Sequence, residues 1–189
     1  MMIPFNEILE FWFEGISDET LIQKDNNPFR KWFLSSKSFD LDAKARFEKY
    51  FPNTDLNYVP PSPQEQLALI ILYDQLSRNI YRNMPQAFQY DQQACLLADD
   101  MIKKGKDLEL MFIERLFVYM PLMHAENIRM QEISVRCFKD LSDAVKKKNP
   151  ENYPYYENNL KHALRYKQII EAYSRFPHRD KILGRTANE

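Results

Sequence analysis

Glycine is nearly missing from this chain: 3 residues in 189, at Gly15, Gly105 and Gly184, against an ordinary share of about 7%. A dinucleotide-binding turn needs several glycines together, and a P-loop needs Gly-Lys after a glycine-rich cradle. Neither pattern occurs, so those two nucleotide folds are set aside. The 2 cysteines, Cys95 and Cys137, form no Cys-x-x-Cys and sit in apolar-patterned stretches. They read as small buried hydrophobes of a reducing compartment. The 3 histidines, His124, His162 and His178, are far apart and make no His-Glu-x-x-His spacing. No metal and no cofactor is expected. No run approaches the ~20 apolar residues of a membrane span, and the longest, Leu67 to Tyr73, is only a helix's worth of core. The first residues carry Asn6, Glu7 and Glu10 and lack the basic lead of a signal peptide. The expected location is cytoplasmic. Charge of one sign is also lacking: 26 Lys and Arg stand against 27 Asp and Glu, for a net charge of −1. That argues against nucleic acid or an anionic membrane as a partner.

What is present is helical periodicity. Phe5, Ile8, Leu9, Trp12 and Phe13 mark one helix face, with Pro4 at its start and Gly15 at its stop. Phe29, Trp32 and Phe33 should pin an irregular stretch to the core. A second helix is expected from about Phe39 to Phe51, then an extended connector through Pro60 and Pro61. Ser62, Pro63 and Glu65 have capping-box spacing and open a helix to about Tyr81. Pro85 opens another, to Lys104. Leu108 to Tyr119 is a helix halted by Pro121. Further helices run from about Glu126 to Lys148 and from Pro154 to Tyr173. Period-two alternation never persists, so the chain reads as all-α, one domain of antiparallel helix pairs. Pair starts near Ser62, Asp107 and Asn152 are evenly spaced, as in a short α-solenoid; an irregular bundle is the alternative. The expected layout is N-terminal helices and connector over 1–61, core pairs over 62–173, and a C-terminal arm over 174–189.

Polar motif residues interrupt this pattern. Asp74, Arg78 and Arg82 recur every four residues, one helical stripe. They can stabilise the following turn or aim two arginines at an anion. Glu114 lies in an apolar run and, if buried, needs a cation; Arg78 and Arg82 are the obvious partners. His124 can cap the next helix or act as an acid–base, and Glu126 suits that helix's first turn. Arg175, His178, Arg179 and Arg185 follow the last long helix. They can clamp the C-terminus to acidic residues or form an anion-recognising rim. No nucleophile has an activating base at helical spacing.

Four ordered blocks carry a family resemblance. They are Asp74-Gln75-x-x-Arg78-Asn79-x-x-Arg82, then Ala87-Phe88-x-x-Asp91, then Tyr119 to His124 with Glu126 and Gln131, and finally Arg175-Phe176-Pro177-His178-Arg179 with Ile182 to Arg185. Together they resemble DUF924, a bacterial family of unknown function with a tetratricopeptide-like helical fold. The resemblance implies that fold and no activity. Tyr173-Ser174 stands where the family usually has Phe-Gly, Asp180 where it has asparagine, and Tyr166 where it has histidine.

Three readings follow. In the first, Arg78, Arg82, His124, Arg175, His178 and Arg179 converge on one positive concavity. It would bind a small anion or the acidic end of a peptide or protein partner. In the second, the chain is a hydrolase using His124 or His178, with Glu114, Glu126 or Asp91 as orienting carboxylate. In the third, the motifs serve the fold alone.

Overall fold

The structure is a computed structural model and describes residues 2–22, 27–34, 36–53 and 55–186. The N-terminal apolar face forms helix α1 (Phe5–Phe13), which buries Ile8, Trp12 and Phe13. Glu14 and Gly15 both adopt left-handed backbone and end it. Helix α2 (Asn27–Phe33) lies against α1, and the Trp32 indole N–H donates to the Trp12 carbonyl at 3.0 Å. Trp32 thus pins its segment to the core, but the segment is a helix rather than the irregular stretch expected, and Phe33 is exposed instead of anchoring it; the Phe29 side chain lies outside the described residues. Helix α3 (Lys37–Phe47) is capped by the Ser36 hydroxyl and runs into a 3₁₀ turn over Glu48–Asn53.

The next helix departs from the sequence pattern. It starts as α4 (Pro63–Ile70), widens into a π-helical segment over Ile71–Leu76, and recovers as α5 (Ser77–Ile80). Single-turn π segments are frequent at functional sites. The expected capping box is absent: the Ser62 side chain makes no cap bond, and Pro63 already removes one of the orphan amides. A 3₁₀ turn over Pro85–Phe88 leads to α6 (Asp91–Lys103), and left-handed Gly105 turns the chain into a further 3₁₀ segment, Lys106–Glu109.

Helix α7 (Phe112–His124) does not stop before Pro121 but carries it inside. Only the bond from residue 121 to the Phe117 carbonyl is lost, and the last turn continues to His124. Helix α8 (Ile128–Lys148) is capped by Asn127, whose side chain accepts from the Met130 amide at 3.2 Å, so the capping role open to His124 is filled by another residue. Helix α9 (Tyr153–Tyr173) ends at left-handed Ser174, and a 3₁₀ turn, Pro177–Arg179, leads into α10 (Asp180–Leu183).

Connectors 125–127 and 149–152 are too short for anything but antiparallel neighbours, and α7, α8 and α9 pack successively on one another. The chain is all-α, a single compact domain, with no strand among the described residues. No described helix is long and apolar enough to cross a membrane. Helical segments do begin at Pro63, Lys106 and Tyr153, close to the even spacing read from the sequence.

Phe117 is the centre of the core and has no solvent exposure. Trp12, Phe13 and Trp32 pack edge-on against its ring at 5.5, 5.6 and 5.0 Å. Through it α7 holds both α1 and α2. Phe117→Ala should therefore lower unfolding free energy by about 3–5 kcal/mol, read as a shifted urea midpoint at unchanged m-value.

Candidate functional site

The π segment places Asp74 and Gln75 side by side in the interior. Asp74 has no exposure to solvent, and a carboxylate there must be matched. Arg78 binds it at 3.1 Å, the Gln75 amide donates to it at 2.6 Å, and His124 Nδ1 lies 2.8 and 3.0 Å from its two oxygens. Burial alone would raise the Asp74 pKa. The positive charge of Arg78, the electrostatic pull of the His124 ring and the bonds from His124 and Gln75 outweigh it and hold the group at about 2. An ionised carboxylate only accepts, so Nδ1 carries a proton. Among the described residues Nε2 has no hydrogen-bond partner.

Asp91, at the start of α6, accepts from Arg78 at 2.9 Å and from Arg179 at 3.1 Å. Its pKa is pushed up, chiefly by burial, with the Asp74 charge adding to that against the opposing arginines. Arg179 also donates to the His124 carbonyl at 3.1 Å and is held between the Phe88 and Phe176 rings at 4.6 and 4.7 Å. Two carboxylates and two guanidiniums thus tie the π segment, α6, the end of α7 and the C-terminal arm into one buried network.

His124 stands in the wall between two hollows. The first, of about 340 Å³, is lined by Trp32 and Phe33 of α2, by Gln75, Arg78, Asn79 and Arg82, by Met120, Met123 and His124 of α7, and by Asn159, His162 and Tyr166 of α9. On the α9 side those three positions repeat along one helical face. Arg82 is held in place by Asp40 of α3, at 2.6 and 2.8 Å, and Asn79 donates to the same carboxylate at 2.9 Å. The second hollow, of about 590 Å³, is bordered by Phe88, Asp91, Cys95, His124, Glu126 and Arg179 among others. Burial, reinforced by nearby aspartates, pushes the Cys95 thiol up to about 12, so it is no nucleophile.

The six residues expected in one concavity are divided. Arg78, Arg82 and His124 line the first hollow, and His124 and Arg179 the second. Arg175 and His178 line neither: Arg175 pairs with Asp180 at 3.0 Å, and the His178 ring packs on Phe176 at 5.5 Å. Burial and the neighbouring Arg179 charge lower the His178 pKa. Glu126 accepts both arms of the Arg185 guanidinium at 2.6 and 2.9 Å and the Phe176 amide at 2.8 Å, so it clamps the C-terminal arm. Glu114 is also no partner for Arg78 or Arg82; it caps its own helix by accepting from the Met111 amide at 2.9 Å. The carboxylate that orients His124 is Asp74. Trp32, Asn159, His162 and Tyr166 were missed by sequence reasoning, because α2 and α9 meet the π segment only through tertiary packing. Among the described residues no cluster of histidine, cysteine and carboxylate could hold a metal.

The folded-state pKa of Asp74 lies below its ordinary 3.8. Its contribution to stability is therefore complete above that value and is lost as pH falls through about 2. Asp74→Asn should cost about 2 kcal/mol at neutral pH and flatten the acid limb of stability. Asp91→Asn should cost less, because burial already disfavours its charge. Urea unfolding of both variants across acid pH measures this.

The comparisons with known proteins agree with the helical architecture. The chain is 27% identical to a solved protein of unknown function, ATU0120 from Agrobacterium tumefaciens, over 97% of this chain and 92% of that one, with a TM-score of 0.73. No curated protein matches it. The model of a family described as bacterial protein of unknown function (DUF924) matches residues 8–189, and the chain belongs to that family.

Proposed function

We propose that the chain is an acid–base enzyme of hydrolase type, with His124 as the proton-transferring group and Asp74 as its orienting carboxylate. The observation that carries this reading is the contact of His124 Nδ1 with a fully buried, ionised Asp74 at the edge of a hollow of small-molecule size. A carboxylate behind Nδ1 fixes the ring and its tautomer and stabilises the imidazolium once a proton arrives. Arg78 and Gln75 hold that carboxylate in turn. No serine, threonine or cysteine lines the first hollow among the described residues. Ser77 is buried and donates to the Tyr73 carbonyl at 2.5 Å. The reaction therefore uses water directly. Nε2 takes a proton from the water as its oxygen bonds to the electrophilic carbon, and returns that proton to the leaving group as the old bond breaks.

A binding groove built from all six positive side chains has less support, because four arginines of the motifs are joined to carboxylates. The purely structural reading accounts for Arg78 and Arg179 but leaves unexplained why the histidine faces two hollows.

The test is a panel of small esters, amides and lactones. A substrate found there should lose about 10²–10⁴ in kcat with His124→Gln, and a comparable share with Asp74→Asn. Cys95→Ser should be silent. Turnover that ignores both dyad substitutions removes the reading.

A further inference from the structure

The first hollow is arranged in two electrostatic layers. Its inner surface carries Arg78, Arg82, His124 and His162, and no carboxylate among the described residues. The matching acids stand behind it: Asp74 and Asp91 behind Arg78, and Asp40 behind Arg82. A molecule inside meets donors first. Both terminal nitrogens of Arg78 are taken, one on Asp74 and the other on Asp91. Arg82 is not. Asp40 engages its Nε and one terminal nitrogen, and the remaining one, Nη1, makes no hydrogen bond among the described residues. Its side chain is also 40% exposed. The rest of the lining is the apolar and aromatic group Trp32, Phe33, Met120, Met123 and Tyr166, together with the amides of Gln75, Asn79 and Asn159.

Taking this hollow as the reaction site proposed above, we infer that its substrate is a small organic monoanion, a carboxylate attached to a ring-sized apolar body. The carboxylate lies at Arg82, and the body lies against Trp32 and the two methionines. Three carboxylates already match the arginines Arg78, Arg82 and Arg179, so a single added charge is tolerated better than the two of a phosphate. Asp40 competes with the ligand for the same guanidinium. The two partners of this ion pair should therefore affect affinity in opposite directions.

Benzoate is the probe, followed by calorimetry and by the fluorescence of Trp32. Acetate keeps the charge without the ring, benzamide the ring without the charge, and inorganic phosphate offers a different anion. Benzoate should bind at least about tenfold more tightly than any of the three, since each loses a charge-assisted bond, a buried ring or a fitting charge. Arg82→Gln should weaken benzoate by about tenfold or more, and Asp40→Asn should strengthen it. A merely structural ion pair would weaken binding in both variants, and that result overturns the inference. So does benzamide or phosphate binding as well as benzoate, or an Arg82→Gln protein of wild-type affinity. These arms need no turnover. An inert dyad with benzoate affinity following Arg82 and Asp40 would count against His124 alone, while turnover without anion preference would count against the substrate class alone.

Discussion

A carboxylate with no access to water has to be satisfied on every side, and Asp74 is satisfied from separate parts of the chain. Gln75 and Arg78 come from its own helix, and His124 from the end of α7. Arg78 then needs Asp91, and Asp91 also takes Arg179 from the C-terminal arm. Each ion is placed where its neighbour would otherwise be an unpaired buried charge. Removing one member therefore costs far more than its own contact. The regular helix geometry around this network bends to it. The π segment over Ile71–Leu76 widens the helix where Asp74 and Gln75 both lie buried.

Much of this was legible in the residues and some of it was not, for identifiable reasons. Helices with one apolar face were readable because burial imposes a 3.6-residue period. The Asp74–Arg78 pair was readable because it is local. Pro121 misled because a proline in a last turn removes only one bond, which a tightly packed helix can lose. Ser62 misled because Pro63 removes the need for one capping bond. The arginines misled most. In sequence they can be struts or an anion-binding rim, and the carboxylates that decide it, Asp40, Asp91 and Asp180, are readable as partners only once the helices are packed. The contact between His124 and Asp74 spans fifty residues of chain, and nothing in spacing alone announces it.

The polar residues around the site consequently fall into two kinds. Arg78, Arg179, Glu126 and Arg185 are struts: they join elements and have their hydrogen-bonding capacity largely used. Arg82, His124 and His162 reach the inner surface of the first hollow, where unused donor and acceptor capacity remains. The two kinds meet at His124. Its backbone carbonyl is held by Arg179, and its ring is held by Asp74. The side chain that faces the hollows is thus fixed at both ends by the network that stabilises the fold, which is the preorganisation that the proposed proton transfer requires.

The opposite wall of the hollow is fixed in a different way. Asn159, His162 and Tyr166 lie along α9, so their position follows the register of one long helix. Tyr166 packs on Phe176 at 5.1 Å and stands 6.5 Å from His124. Phe176 is itself held by Glu126 through its backbone amide. The C-terminal arm therefore reaches the site by two routes: electrostatically through Arg179, and by ring packing through Phe176 and Tyr166. A shift of the arm would move the wall and the histidine together, because both rest on the same turn, 176–179. This coupling gives the clamp of Glu126, Asp180 and Arg185 a purpose beyond tying down a terminus. It holds Tyr166 and His124 in one register across the hollow.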